Sequence, residues 1–126
     1  MKNALSLVVV LTFFFGCKTD KESIAKRKAD TLIELIAKGD PASEFPEKYF
    51  PKESTVVVVK NLKETCDFEN RKGGFIKSEY KKNVLGTDQA FFIYNFNLKC
   101  GNVTIILTYN LGKNVELFEF SIKPRQ

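Results

Sequence analysis

Apolar and polar positions recur along this chain with two different periods, and the change of period divides it. Between Ser23 and Lys38, Ala25, Ala29, Leu32, Ile33, Ile36 and Ala37 return at spacings of three and four, the signature of one helix face. Lys26, Asp30, Glu34 and Lys38 form the opposite stripe at four-residue spacing, which reads as a solvated face with modest i,i+4 pairing. Asp20 or Ser23 is placed to cap the start, and Gly39-Asp40-Pro41 to stop the helix. Prolines at 41, 46 and 51 then exclude a long helix. Phe45, Tyr49 and Phe50 are spaced for a single helical turn whose aromatic rings plug the edge of a core.

From Ser54 onward, strand and turn signals take over. Thr55-Val56-Val57-Val58-Val59 is a continuous β-branched run, as in a strand buried on both faces. Glu69–Gly74 reads as a turn. Phe75–Val84 carries Ile76, Tyr80 and Val84 on a face broken by polar residues, an exposed strand, and Gly86-Thr87-Asp88 turns the chain. Ala90, Phe92, Tyr94, Phe96, Leu98 and Cys100 alternate with Asn95, Asn97 and Lys99. Gly101-Asn102 fits a two-residue hairpin turn. Val103, Ile105, Leu107 and Tyr109 form the next apolar face. After a turn at Leu111–Asn114, Phe118, Phe120 and Ile122 alternate with Glu119, Ser121 and Lys123. The expected fold is α+β, with one N-terminal amphipathic helix packed on a four- to five-stranded antiparallel meander in two layers.

Ahead of this domain, Met1-Lys2-Asn3 is followed by the apolar stretch Ala4–Gly16, then Cys17 and the charged run Lys18–Glu22. An apolar segment of about 7–15 residues after a basic start suits a secretory signal, whereas a spanning helix needs about 20. Gly16-Cys17 resembles the lipobox of bacterial lipoproteins, although Phe14 and Phe15 stand where that motif usually has Leu and a small residue. The resemblance implies cleavage after residue 16, acylation of Cys17, and an anchored protein tethered through residues 17–22, with the domain spanning 23–126. Lys18, rather than Asp, follows Cys17, which favours the outer over the inner membrane.

The chain has three cysteines. With Cys17 assigned to the anchor, Cys66 and Cys100 form an even pair in an exported protein, where a disulfide is expected. Closing a loop of about 35 residues is worth about 3–4.7 kcal/mol in the chain-entropy picture.

Composition narrows the chemistry. The absence of His removes Ser-His-Asp and Cys-His catalysis and the usual zinc sites. Asp67, Glu69, Glu116 and Glu119 are the carboxylates that could do acid–base work, but their positions beside apolar residues put them on the solvent face. No catalytic residue, metal or cofactor is assigned. The net charge of +5 is spread from Lys18 to Lys123 and interleaved with acids, which argues against a nucleic-acid footprint. Asn102-Val103-Thr104 matches a glycosylation acceptor in form and reads more simply as turn and strand.

The order of helix, Pro-broken aromatic linker and meander, with Gly73-Gly74 and the closing Glu116–Pro124 segment, resembles small lipoproteins of the nuclear transport factor 2-like or cystatin-like superfold. That likeness implies a helix lying across a curved antiparallel sheet and carries no catalytic residues. Two binding functions follow as expectations. One is a non-catalytic envelope module that offers its sheet or an edge strand to a protein or peptide, with Phe91 and Ile93 on the outward face. The other is a small-ligand pocket between helix and sheet lined by Phe92, Tyr94, Phe96, Tyr109 and Phe120.

Overall fold

A computed structural model describes the backbone of residues 2–38, 41, 44–49 and 52–125, with side chains from residue 20 onward except that of residue 52. The leader side chains, the Cys17 side chain, Gly39, Asp40 and Phe50 lie outside the described residues. Helix α1 (Lys2–Lys38) and the shorter α2 (Lys52–Lys60) precede four strands, β1 (Lys72–Lys81), β2 (Gln89–Leu98), β3 (Gly101–Leu111) and β4 (Val115–Pro124). A π-helical turn (Asn61–Thr65) and a 3-10 turn (Phe68–Asn70) lie between α2 and β1. The strands form one open antiparallel sheet in sequence order, so the domain is α+β.

The helical stripe read from the sequence is the stripe that is buried. Ala25, Ala29, Leu32, Ile33, Ile36 and Ala37 pack onto the β2 and β3 face made of Ala90, Phe92, Tyr94, Phe96, Leu98, Val103, Ile105, Leu107 and Tyr109. Direct register fixes that face: Tyr94 lies opposite Ile105, Phe92 opposite Leu107, and Ala90 opposite Tyr109. Alanines at 25, 29 and 37 let the helix axis come close to the large rings of β2. Lys63 donates a hydrogen bond at 3.1 Å to the Lys38 carbonyl, which places a cation at the helix C-terminus.

Several local expectations are corrected. Neither Asp20 nor Ser23 begins a helix, because α1 is continuous through both and through Lys18–Glu22. No Pro or Gly lies between Cys17 and Lys38, and its Lys, Glu and Ala residues are good helix formers. Thr55–Val59 is helical, within α2, so the sheet has four strands rather than five. A strand apolar on both faces needs cover on both sides, and this sheet has helix on one side only. As a helix, the segment buries Val59, with Leu62 buried three residues on, while Val56, Val57 and Val58 stay exposed. Glu53 in its first turn and Lys60 in its last suit the helix dipole.

The β2–β3 turn is Lys99-Cys100, two residues earlier than expected, with Leu98 opposite Gly101. Gly101 adopts φ +134°, a conformation that side chains resist. Each edge strand carries one extra residue. In β1 the register steps from Phe75–Tyr94 to Lys77–Ile93, so Ile76 is extra and the expected Ile76–Tyr80 face is broken. In β4 it steps from Thr108–Glu119 to Tyr109–Leu117. Phe118 is therefore displaced outward, and Leu117 takes the buried position opposite Tyr109.

Cys66 and Cys100 are joined, with Cα atoms 4.5 Å apart and a sequence separation of 34. Beside the bridge, the Lys99 N–H donates to the Cys66 carbonyl at 3.1 Å. Together they fasten the irregular segment after α2 to the β2–β3 turn.

Two stability measurements test this account. Leu32→Ala, which hollows the helix–sheet contact, should lower unfolding free energy by about 2–5 kcal/mol. Replacing both Cys66 and Cys100 with Ser should cost about 4 kcal/mol by loop closure. Urea titrations followed by circular dichroism read both losses; a change below about 1 kcal/mol at Leu32 would contradict the packing described.

Candidate functional site

The five side chains expected to line a pocket lie on the covered face of the sheet. Phe92, Tyr94, Phe96 and Tyr109 are buried, and Phe120 is half-buried against the same cluster. They meet one another and their neighbours as rings: Phe92 with Tyr109 at 5.9 Å, Tyr94 stacked on Phe96 at 5.9 Å, and Phe120 edge-on to Phe45 at 5.6 Å. These contacts, with the α1 stripe above them, make the residues core.

The charged stripe of α1 is more than a solvated face. Lys26 and Asp30 pair at 2.7 Å as the spacing predicts. Asp30 also accepts a hydrogen bond from the buried Tyr94 hydroxyl at 2.9 Å, and the Lys26 ammonium sits 4.1 Å over the Phe75 ring. One turn on, Glu34 pairs with Arg71, whose guanidinium also lies over Phe68. Along its length, α1 is thus latched to β1 and the segment before it. Helical spacing showed these residues sharing a face but could not show that the face borders β1.

Three tyrosines report on this boundary. Burial raises the Tyr94 phenol well above its ordinary range, with its hydrogen bond to Asp30 and that carboxylate's charge adding to the effect. Burial likewise raises Tyr109, helped by the charges of Glu44 and Asp30. Tyr80, at the end of β1, is pushed up to about 12 by partial burial, then by its hydrogen bond to Glu22 and the charge of that carboxylate.

β1 is the feature that sequence reading undervalued. Among the described residues it pairs with β2 on one side and with no strand on the other. It is exposed along almost its whole length, including Phe75, Ile76 and Tyr80. Gly73, its second residue, has φ +95°, and a Cβ there would fall 2.3 Å from the Asn95 carbonyl oxygen, so the close approach of β1 to β2 requires glycine. At the opposite edge, Phe45 and Tyr49 of the linker lie against Phe120 and Phe118 of β4. Along β1 the described cover comes from α1, with Lys26 over Phe75 and Glu22 against Tyr80, and no linker aromatic takes part in it.

The outer face of the sheet carries Phe91, Ile93 and Ile106, each half-buried among polar neighbours. Glu116 and Glu119 lie exposed on that face, opposite Asn110 and Thr108, brought to the same side by the extra residue at Phe118. Asp67 has φ 52° and accepts hydrogen bonds from the Asn70 side chain at 3.0 Å, a turn role; Glu69 is exposed. Among the described residues, no group of three or more Cys, Asp or Glu is placed to hold a metal ion. No described helix is long and apolar enough to cross a membrane. Comparison with protein-family models, curated proteins and solved structures finds no match to this chain.

The tyrosines fix the sign of an alkaline effect. Their folded pKa values are raised, so the stabilisation they carry is complete below about pH 10, the unfolded value, and is lost as pH rises through the folded values. The urea midpoint should hold steady from pH 8 to 9.5 and fall above pH 10. Tyr94→Phe should weaken that fall. A midpoint flat to pH 11.5 would contradict the burial of these phenols.

Proposed function

We propose that this protein is a non-catalytic binding module of the bacterial cell envelope, held at the membrane through an acylated Cys17, that takes an extended segment of a protein partner along the β1 edge. The observation that carries this reading is β1 itself. It is a ten-residue edge strand with one side unpaired, rigidly backed by β2 and latched to α1. An open edge of this kind offers main-chain hydrogen bonds for affinity, and the side chains of alternate residues give selectivity. Phe75, Ile76 and Tyr80 supply exposed apolar surface beside Lys72, Lys77 and Lys81.

The surroundings support the same reading. A bulge and several lysines blunt the edge against indiscriminate self-association, as edge strands in native proteins are commonly guarded. The Cys66–Cys100 bridge suits an oxidising compartment outside the cytoplasm. The leader pattern of Ala4–Gly16 followed by Cys17 supports export and anchoring, and Lys18 in place of Asp after Cys17 favours the outer membrane.

A photo-reactive benzophenone amino acid placed at Ser78, in the middle of the β1 edge, tests this in cells. Irradiation should give one discrete protein adduct from Ser78 and none from the same probe at Ser121 on β4. Equal labelling from both strands, or none from β1, would overturn the reading.

A further inference from the structure

The most exposed apolar residues in the described structure are not on β1 but at the tip of the hairpin that follows it. Val84 and Leu85 are 97% and 98% exposed. An apolar pair this open costs solvation unless something covers it. The loop is also held in shape. The Asn83 N–H donates to Asp88 Oδ1 at 3.0 Å, the Leu85 N–H donates to Asn83 Oδ1 at 3.1 Å, and the Leu111 N–H donates to the Asp88 carbonyl at 2.8 Å. Asn83 and Asp88 thus fix the turn from within, and Val84 and Leu85 are presented at its apex.

Two further features share this end of the molecule. Lys81 and Lys82 immediately precede the tip, and exposed Lys113 lies on the β3–β4 turn, where Gly112 borders Thr87. Acids stand among these lysines as well: Asp88 accepts from the Asn83 N–H, Glu22 is bonded to Tyr80, Glu79 is paired with Lys77, and Asp20 and Glu116 are exposed. Helix α1 also reaches the sheet from this end. Its contacts run from Glu22–Tyr80, beside the tip, through Lys26–Phe75 to Glu34–Arg71 at the far end of β1. The helix before Glu22, which carries Cys17 and the apolar leader, therefore continues past the sheet on the tip side. An apolar apex with a lysine collar, on the side from which the helix leads back to Cys17, the acylation site of the proposed function on which this step rests, matches the chemistry of a bilayer interface. Apolar side chains sink below the headgroups there, and ammonium groups stay among anionic phosphates.

We infer that the Val84-Leu85 tip is a second membrane contact, seated in an anionic phospholipid bilayer beside the N-terminal anchor. This contact sets the domain's orientation, with the tip toward the lipid and the Cys66–Cys100 end away from it. It goes beyond partner binding at β1 and stands or falls separately from it.

The chain contains no Trp, so a single introduced Trp reports without background. The full chain bearing Leu85→Trp should be bound to vesicles of phosphatidylcholine and phosphatidylglycerol that contain brominated acyl chains. Its emission should shift to the blue and be quenched at least twofold. Lys99→Trp, at the opposite end, should stay unquenched on the same vesicles. Adding Lys81→Glu and Lys82→Glu to the Leu85→Trp chain should remove most of the quenching. Water-like, unquenched emission from Leu85→Trp, or equal quenching at both ends, would overturn the contact. Full quenching despite the two glutamates would overturn its assignment to anionic headgroups. None of these outcomes bears on cross-linking from Ser78.

Discussion

The apolar stripe of α1 on a single face of the sheet is the contact from which the other features follow. Ala25, Ala29, Leu32, Ile33 and Ile36 cover Phe92, Tyr94, Phe96, Ile105 and Leu107, the one substantial core among the described residues. A small domain buries a modest fraction of its surface, so ends left loose would fray. The disulfide, the Lys63 cap on α1 and the Lys99–Cys66 backbone bond all fasten the end of the sheet farthest from the β1–β2 tip. At the other end, the Asn83–Asp88 network does the corresponding work within a loop.

One-sided cover also decides what the rest of the surface can be. The outer face must stay largely polar, and its half-buried Phe91, Ile93 and Ile106 are set among Asn95, Thr104 and Thr108. An open four-stranded sheet has two edges, and this protein treats them differently. The linker aromatics Phe45 and Tyr49 lie against β4, while β1 stays open, backed by the Lys26–Phe75 and Asp30–Tyr94 contacts. A strand held rigid from one side and open on the other is suited to accept a partner strand, because little backbone ordering is left to be lost on binding. The exposed valines of α2 have no such backing, and nothing in the structure shows what covers them.

Much of the core was legible in the sequence because periodicity depends only on which residues share a face. The spacing of Ala25 to Ala37 and the alternation from Ala90 to Tyr109 named nearly the whole buried set, and the even pair of cysteines left after Cys17 named the disulfide. Bulges escaped this reading: one extra residue at Ile76 or Phe118 reverses the face of everything beyond it without leaving a compositional mark. The aromatics Phe92, Tyr94, Phe96 and Tyr109 were placed on the correct face, but sequence alone could not distinguish a lined pocket from a filled core.

The sequence by itself determined the helix stripe, the alternating faces of β2 and β3, the cysteine pairing and the absence of imidazole chemistry, since each follows from local order or from composition. Tertiary structure alone decided that Thr55–Val59 is helix, because a strand apolar on both faces has no place in a sheet covered on one side. It also decided that the Lys26–Asp30 stripe latches β1 and that Val84-Leu85 points outward at the end where α1 arrives. Those outcomes depend on which distant segments come together, and no window along the chain contains that information.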